Sequence, residues 1–242
     1  HEPRQGLRRR PVGGQVVADA RCRDRDRDGL DGDALGIRTL HRDGGGDGVA
    51  GGAVLSAALN EPGVSLPERP SVTLTDGKLT GTKIGVPYAG TARWLLVTAD
   101  GGVAVIAPTA SGLTLTKTPT SNGTDEYVVV FDGAEVDGVL ANATTRRVNQ
   151  LVLAATGAFA AGLVAGALRL TADYVATREQ FGRPLSTFQT VAAQLSDVYI
   201  ASRTIDLAAT SVIYRLSEGL DADDDLALLG YWITSQAPPA MR

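Results

Sequence analysis

The sequence predicts an α+β protein in which a small β-barrel or sandwich is followed by a bundle of long helices. Three observations carry that expectation. Between about 57 and 140 the chain is built of short β-type runs separated by turn dipeptides. From about 146 onward it changes to long Ala-rich runs with helical spacing. Ahead of both, residues 1–53 are dominated by Arg, Asp and Gly and have almost no hydrophobic periodicity. The organisation that follows is a low-complexity segment over 1–53, a β-domain over 57–140 and a helical domain over 146–242.

In the first segment, Arg21 to Asp28 alternates in charge and Asp43 to Asp47 is rich in glycine. It holds too little apolar surface to offset the entropy of ordering, so disorder is one reading. Out-of-frame translation of GC-rich DNA is the other, because Arg, Asp and Gly codons are GC-rich.

Predicted strands cover Ser71–Thr75, Trp94–Thr98, Val103–Ala107, Leu113–Thr116 and Tyr127–Phe131. Asp76-Gly77, Gly101-Gly102 and Asn122-Gly123 punctuate them as turns. Strands this short and evenly spaced suit a closed or two-layered β-structure. The run from Leu151 to Thr177 then predicts a long helix with an apolar stripe at Leu163, Ala167, Leu170, Tyr174 and Val175. Gly182 and Pro184 are expected to stop it, and Ser186 or Thr187 to cap the next helix. That helix carries Val191, Leu195, Val198, Ile205 and Leu207; an acidic loop, Asp221 to Asp225, separates it from a third helix over 226–236.

Composition narrows the function. A net charge of −4 over 242 residues argues against binding nucleic acid by bulk electrostatics. The lone Cys22 cannot form an internal disulfide, and His1 and His41 make no metal cluster. No apolar run reads as long enough to span a membrane and no apolar signal core opens the chain, so a soluble, reducing, cytoplasmic setting without a membrane partner is expected.

The most informative stretch is Arg178-Glu-Gln-Phe-Gly-Arg-Pro-Leu-Ser-Thr-Phe-Gln189. Arg178 and Arg183 crowd a helix end and a turn, where guanidinium groups bind phosphate in bidentate fashion. Phe181 offers an apolar face for a purine ring. The segment resembles the flavin-contacting motif of the acyl-CoA dehydrogenases, R-x-Q-F-G-x-x-[IL]-x-x-[FY]-Q, at every specified position. The resemblance implies FAD as cofactor, with Arg178 at its pyrophosphate, Phe181 beside its adenine and Gln189 at the nucleotide. Gln180 completes the motif. In that family these groups reach the FAD of a neighbouring subunit, which implies a homo- or hetero-oligomer, a dimer or tetramer, sharing the site.

The same resemblance implies an acyl-CoA dehydrogenase-like fold, with a middle β-barrel domain, a C-terminal helical bundle and an N-terminal helical domain degraded or absent. Two β-region stretches extend it. Ala58-Leu-Asn-Glu-Pro62 is similar to the family's A-x-T-E-P segment, with Asn60 in place of threonine. Leu79 to Gly90 is similar to G-x-K-x-W-[IV]-[TS]-N-A, keeping Lys83, Val86 and Ala89. Gly85 replaces the tryptophan, and Pro87 the hydroxyl residue near the flavin edge, so one flavin contact should be lost or supplied otherwise. Asn60, Val86 and Pro87 thereby join the cofactor-binding candidates, while Asp132 and Glu135 read as turn residues.

The reaction implied is α,β-dehydrogenation of an acyl-CoA thioester, with hydride transfer to flavin and an electron-transfer acceptor as a further partner. It needs a carboxylate base. The family's first base position, at the start of the helix before the arginine motif, reads Thr144-Thr-Arg-Arg-Val-Asn-Gln-Leu-Val-Leu153, and Asn149 and Gln150 cannot act as bases. The family's second position and its Gly-rich adenine segment fall beyond Arg242. Glu179 and Asp197 read as solvated helix acids. No catalytic residue and no metal ligand is assigned. Three readings stand: a dehydrogenase subunit whose base lies further on, a non-catalytic FAD-sharing partner in a heteromeric (steroid side-chain type) dehydrogenase, or a flavin monooxygenase or nitroalkane oxidase on the same scaffold.

Overall fold

The computed structural model describes residues 54–242; the Arg/Asp/Gly-rich segment over 1–53 lies outside them. Eight strands come first: β1 (Leu55–Ala58), β2 (Thr73–Thr75), β3 (Lys78–Pro87), β4 (Trp94–Ala99), β5 (Gly102–Ile106), β6 (Leu113–Thr118), β7 (Glu126–Glu135) and β8 (Gly138–Val139). They form two four-stranded sheets, ordered β1-β4-β5-β8 and β2-β3-β7-β6. Every pairing is antiparallel except β1 on β4. One apolar core fills the space between the sheets, with Leu95, Val97, Ala104 and Ile106 from one and Leu79, Val86, Val129 and Phe131 from the other. The sheets are stitched together at an edge, where Leu74 N–H donates to Asp100 O at 3.0 Å and Asp100 N–H to Val72 O at 2.7 Å. This is the expected β-domain.

Turn chemistry matches the sequence closely. Asp76 and Gly77 both have positive φ, 51° and 74°, and Thr75 pairs with Lys78 across them. That is the two-residue hairpin with primed twist that Asp-Gly favours. The long strand β3 is the main element the sequence did not reveal. Its Lys-Leu-Thr-Gly-Thr-Lys pattern mixes polar and apolar residues because the strand is bulged twice, at Leu79/Thr80 and between Lys83 and Val86.

Three helices follow: α1 (Thr145–Thr177), α2 (Gln189–Ser217) and α3 (Asp223–Ala240). Thr144 caps α1, its hydroxyl accepting Arg147 N–H at 3.2 Å. The inward face of α1 is Ala154, Gly157, Ala161 and Val164, small residues that let α2 and α3 approach. The expected stripe is corrected accordingly. Val175 is buried and Ala167 half-buried, but Leu163, Leu170 and Tyr174 face outward with Phe159. Periodicity had found a real apolar stripe on the wrong side, because a helix apolar all round has two candidate faces.

Two further corrections concern helix ends. Gly182 and Pro184 do not terminate α1, which ends at Arg178 in an extended conformation before either is reached. Neither Ser186 nor Thr187 caps α2; its cap position is Phe188, and Thr187 Oγ1 instead donates to Pro184 O at 2.7 Å in a 3₁₀ turn over Leu185–Thr187. The third helix starts earlier and runs later than 226–236. Asp223, Asp224 and Asp225 occupy its first turn, where the helix dipole favours acids, and Pro238 and Pro239 are absorbed in its last. Finally, α1 is long and apolar enough, by length and composition, to cross a membrane, contrary to the expectation that no run would be.

Candidate functional site

Between α1 and α2 the motif segment folds into a two-stranded hairpin, β9 (Glu179–Gln180) and β10 (Arg183–Pro184). Phe181 and Gly182 form its turn, with φ of 54° and 74°. Arg178 anchors one side: its N–H donates to Tyr174 O at 2.9 Å, and its own carbonyl accepts Leu185 N–H at 2.8 Å. Arg183 lies over the Phe188 ring at 4.1 Å, and Phe181 meets the same ring edge-on at 6.2 Å. The hairpin is thus ordered by its own contacts. Arg178, Gln180, Phe181 and Gln189 nevertheless all face outward, and Phe181 is 93% exposed. An aromatic residue held in the left-handed region and almost wholly in solvent is a costly arrangement for a chain standing alone.

The second group lies on the β-domain, at the end of β3. Asn60 forms an isolated bridge with Ile84, whose N–H donates to Asn60 O at 2.9 Å. Its side-chain Oδ1 accepts Leu66 N–H at 3.1 Å, so that acceptor is already engaged. Gly85, at φ 59°, is the bulge residue, and this backbone explains why a glycine stands where the family pattern has tryptophan. Val86 is fully buried in the core, leaving its backbone, paired with Tyr127, at the edge. Pro87 is exposed and its carbonyl accepts the Ser56 hydroxyl. Tyr88 follows at φ 51°, half exposed, its N–H donating to Asp125 O at 2.7 Å.

Beneath this edge sits a buried ion pair, Lys83 with Glu61. Lys83 Nζ is fully buried and reaches Glu61 Oε1 at 2.8 Å, Leu59 O at 3.1 Å and Thr98 Oγ1 at 3.1 Å. Glu61 also accepts Ser71 N–H, the Ser71 hydroxyl and Val72 N–H. Burial alone would raise the Glu61 pKa, but the bonds from Lys83, Ser71 and Val72 outweigh it and hold the group at about 2. Lys83 is pushed below its ordinary value by burial, with Glu61 opposing. The pair ties the segment bearing Asn60 to β3 and β4. Only the matches around Asn60 and Val86, each containing one partner, hinted at it.

The third group is the start of α1. Asn149 is 8% exposed, and its Nδ2 donates to Leu66 O at 3.1 Å and Pro67 O at 3.3 Å. Gln150 turns the other way, to Asp223 Oδ1 at 2.7 Å. Neither presents a carboxylate.

These elements define a class: a β-domain followed by antiparallel helices that carry an outward-facing hairpin, Glu179–Pro184, at their turn. Residues 153–239 match the family model of the acyl-CoA dehydrogenase C-terminal domain. The chain is 66% identical over 197 residues to the acyl-CoA dehydrogenase FadE28 of Mycobacterium tuberculosis, covering 81% of this chain and 58% of that protein. Among solved structures, the Tcur3481–Tcur3483 steroid ACAD aligns with a TM-score of 0.69 and 31% identity, over 79% of this chain and 55% of that one. The ChsE4–ChsE5 complex of Mycobacterium tuberculosis aligns with a TM-score of 0.67 and 29% identity, over 80% and 56%. The chain belongs to the acyl-CoA dehydrogenase family. It spans a little over half the length of these relatives.

Proposed function

We propose that the chain is an FAD-sharing subunit of a heteromeric acyl-CoA dehydrogenase, acting in the α,β-dehydrogenation of an acyl-CoA thioester with the base supplied by another chain. The observation that carries this reading is the hairpin. Its motif side chains are pre-arranged by the Arg183–Phe188–Phe181 stack yet face outward, Phe181 being 93% exposed among the described residues. Such a hairpin fits a nucleotide held on a neighbouring subunit: Arg178 at the pyrophosphate, Phe181 against the adenine, Gln180 and Gln189 as amide partners. The β3 edge fits a flavin ring less well, because Asn60 Oδ1 is engaged, Val86 is buried and Pro87 has no donor.

FAD, when bound, supplies the hydride acceptor. The chain's own residues bind and orient it. None of the residues at the start of α1 takes a proton, since Asn149 and Gln150 are amides with ordered partners. Support for a heteromeric assembly comes from the two-component ChsE4–ChsE5 relative, and support for a steroid acyl group from the Tcur3481–Tcur3483 steroid ACAD. A cytoplasmic location and an electron-transfer partner accompany this reading.

The test is co-purification. The chain is prepared alone and with proteins encoded beside it, and flavin absorbance and acyl-CoA-dependent dye reduction are recorded. Flavin and turnover in the mixture only are expected. Turnover by the chain alone would overturn the reading in favour of a self-sufficient subunit.

A further inference from the structure

We propose that Asn149 converts the base position of this chain into a strut, which fixes α1 to the Leu66–Pro67 loop and closes that position to a substrate proton. The inference rests on the functional reading above, in which another chain supplies the base. It adds what this chain has put in the base's place.

The geometry is a clamp around one residue. Leu66 has φ 48°, a left-handed conformation unfavourable for a branched side chain. Its N–H is held by Asn60 Oδ1 at 3.1 Å and its carbonyl by Asn149 Nδ2 at 3.1 Å. The second amide hydrogen of Asn149 has Pro67 O at 3.3 Å. Leu66 packs with Leu59, Val103, Ala143 and Val148, where the β-domain meets the start of α1. Thus Asn60, which stands where the family pattern has threonine, and Asn149, an amide in the stretch where the resemblance puts the first base, both serve the same loop.

The choice of amide matters chemically. Two carbonyl oxygens require a group with two N–H donors, which asparagine has and an ionised carboxylate lacks. A base, conversely, needs a lone pair open to a substrate. Here the donors face the chain's own backbone, while Asn149 Oδ1 is buried without a hydrogen-bond partner among the described residues. Restoring a carboxylate at this position therefore cannot restore catalysis by itself; it sets a negative charge against Leu66 O and Pro67 O. The charged side chains of the surrounding segments are Arg146 and Arg147 on α1, Glu68 and Arg69 after the loop, Asp221 and Asp223 before and within α3, and the Glu61–Lys83 pair beside Asn60. Arg146 is engaged with Asp221 and Asp223, and Arg147 with Leu216 O.

The experiment uses the chain co-purified with its partner, as wild type, Asn149→Ala, Asn149→Asp and Asn149→Glu. Melting temperature at several pH values, amide exchange over residues 60–70 and acyl-CoA-dependent dye reduction are measured. Asn149→Ala and Asn149→Asp are expected to melt lower by at least roughly 2–4 °C at neutral pH and to exchange faster around Leu66. The Asp deficit narrows toward acid pH and the Ala deficit does not. The buried carboxyl titrates high, so its protonated form, with one O–H donor, restores one of the two clamp bonds below that pKa and loses it as pH rises through it. No variant gains turnover. Wild-type melting and exchange in Asn149→Ala, or higher turnover in Asn149→Asp or Asn149→Glu, would overturn the strut. Absence of flavin from the wild-type mixture sinks the functional reading instead, while melting and exchange still decide whether the strut exists.

Discussion

Lys83 enters the β-domain core with every donor engaged, and its partner Glu61 accepts four bonds, from Lys83 Nζ, Ser71 N–H, the Ser71 hydroxyl and Val72 N–H, because the segments bearing Glu61 and Ser71 meet β3 and β4 there. Removing the ammonium leaves a buried carboxylate without its counter-charge. Lys83→Met is therefore expected to cost about 3–5 kcal/mol, read as a lower urea midpoint at neutral pH. Acid acts on the same pair from the other side. The Glu61 pKa falls from 4.5 unfolded to about 2 folded, so its contribution is complete above the unfolded value and is lost as pH drops toward the folded one. A stability profile over that window should decline by on the order of 3 kcal/mol in wild type and by less in Glu61→Gln. Both residues stood in stretches that matched the family pattern, yet their partnership was not legible. A contact across 22 positions exists only once β3 folds back beside the Asn60 segment.

Helix α1 shows how far an element can be read from its residues. Its existence and its C-terminal limit at Thr177 follow from an Ala-rich run without strong breakers. Its orientation does not. Leu163 and Leu170 are larger and more apolar than Ala154 or Ala161, but the helix buries the small residues, because close approach to α2 and α3 needs them. Gly157 is the sharpest case: a Cβ there would lie 2.4 Å from Leu229 Cδ2, a side chain itself fully packed. Gly157→Ala gains up to about 1 kcal/mol of helix propensity but overpacks a site where such insertions cost about 1–3 kcal/mol. A net loss of thermal stability is expected, whereas Gly166→Ala, with nothing within 4 Å, should be neutral or stabilising. The hairpin after α1 carried the opposite lesson. Gly182 and Pro184 looked like a helix stop, but they belong to a separate turn whose φ values only a tertiary arrangement made visible.

At the scale of the molecule, the described residues leave apolar side chains outside on all three helices, among them Phe159, Leu170, Leu207 and Tyr231. The hairpin bearing Arg178, Gln180 and Phe181 shares that outward aspect. Phe181→Ala should accordingly leave the melting temperature nearly unchanged, as expected of a side chain 93% exposed. In the co-purified complex it should lower flavin retention about tenfold, because aromatic stacking on a base is worth about 1–3 kcal/mol. Equal retention in the two proteins would remove the hairpin from the flavin site.

The sequence by itself determined the order of the domains, most turns, the existence of the helices and the family, because each of these is written in local spacing or in a contiguous motif. Only the tertiary structure decided which helix faces are buried, how Lys83 and Glu61 meet, and that Asn60 and Asn149 close on one loop. The physical reason is the same in each case. Burial and hydrogen-bond partnership are properties of side chains brought together from distant positions, and local propensity carries no record of them.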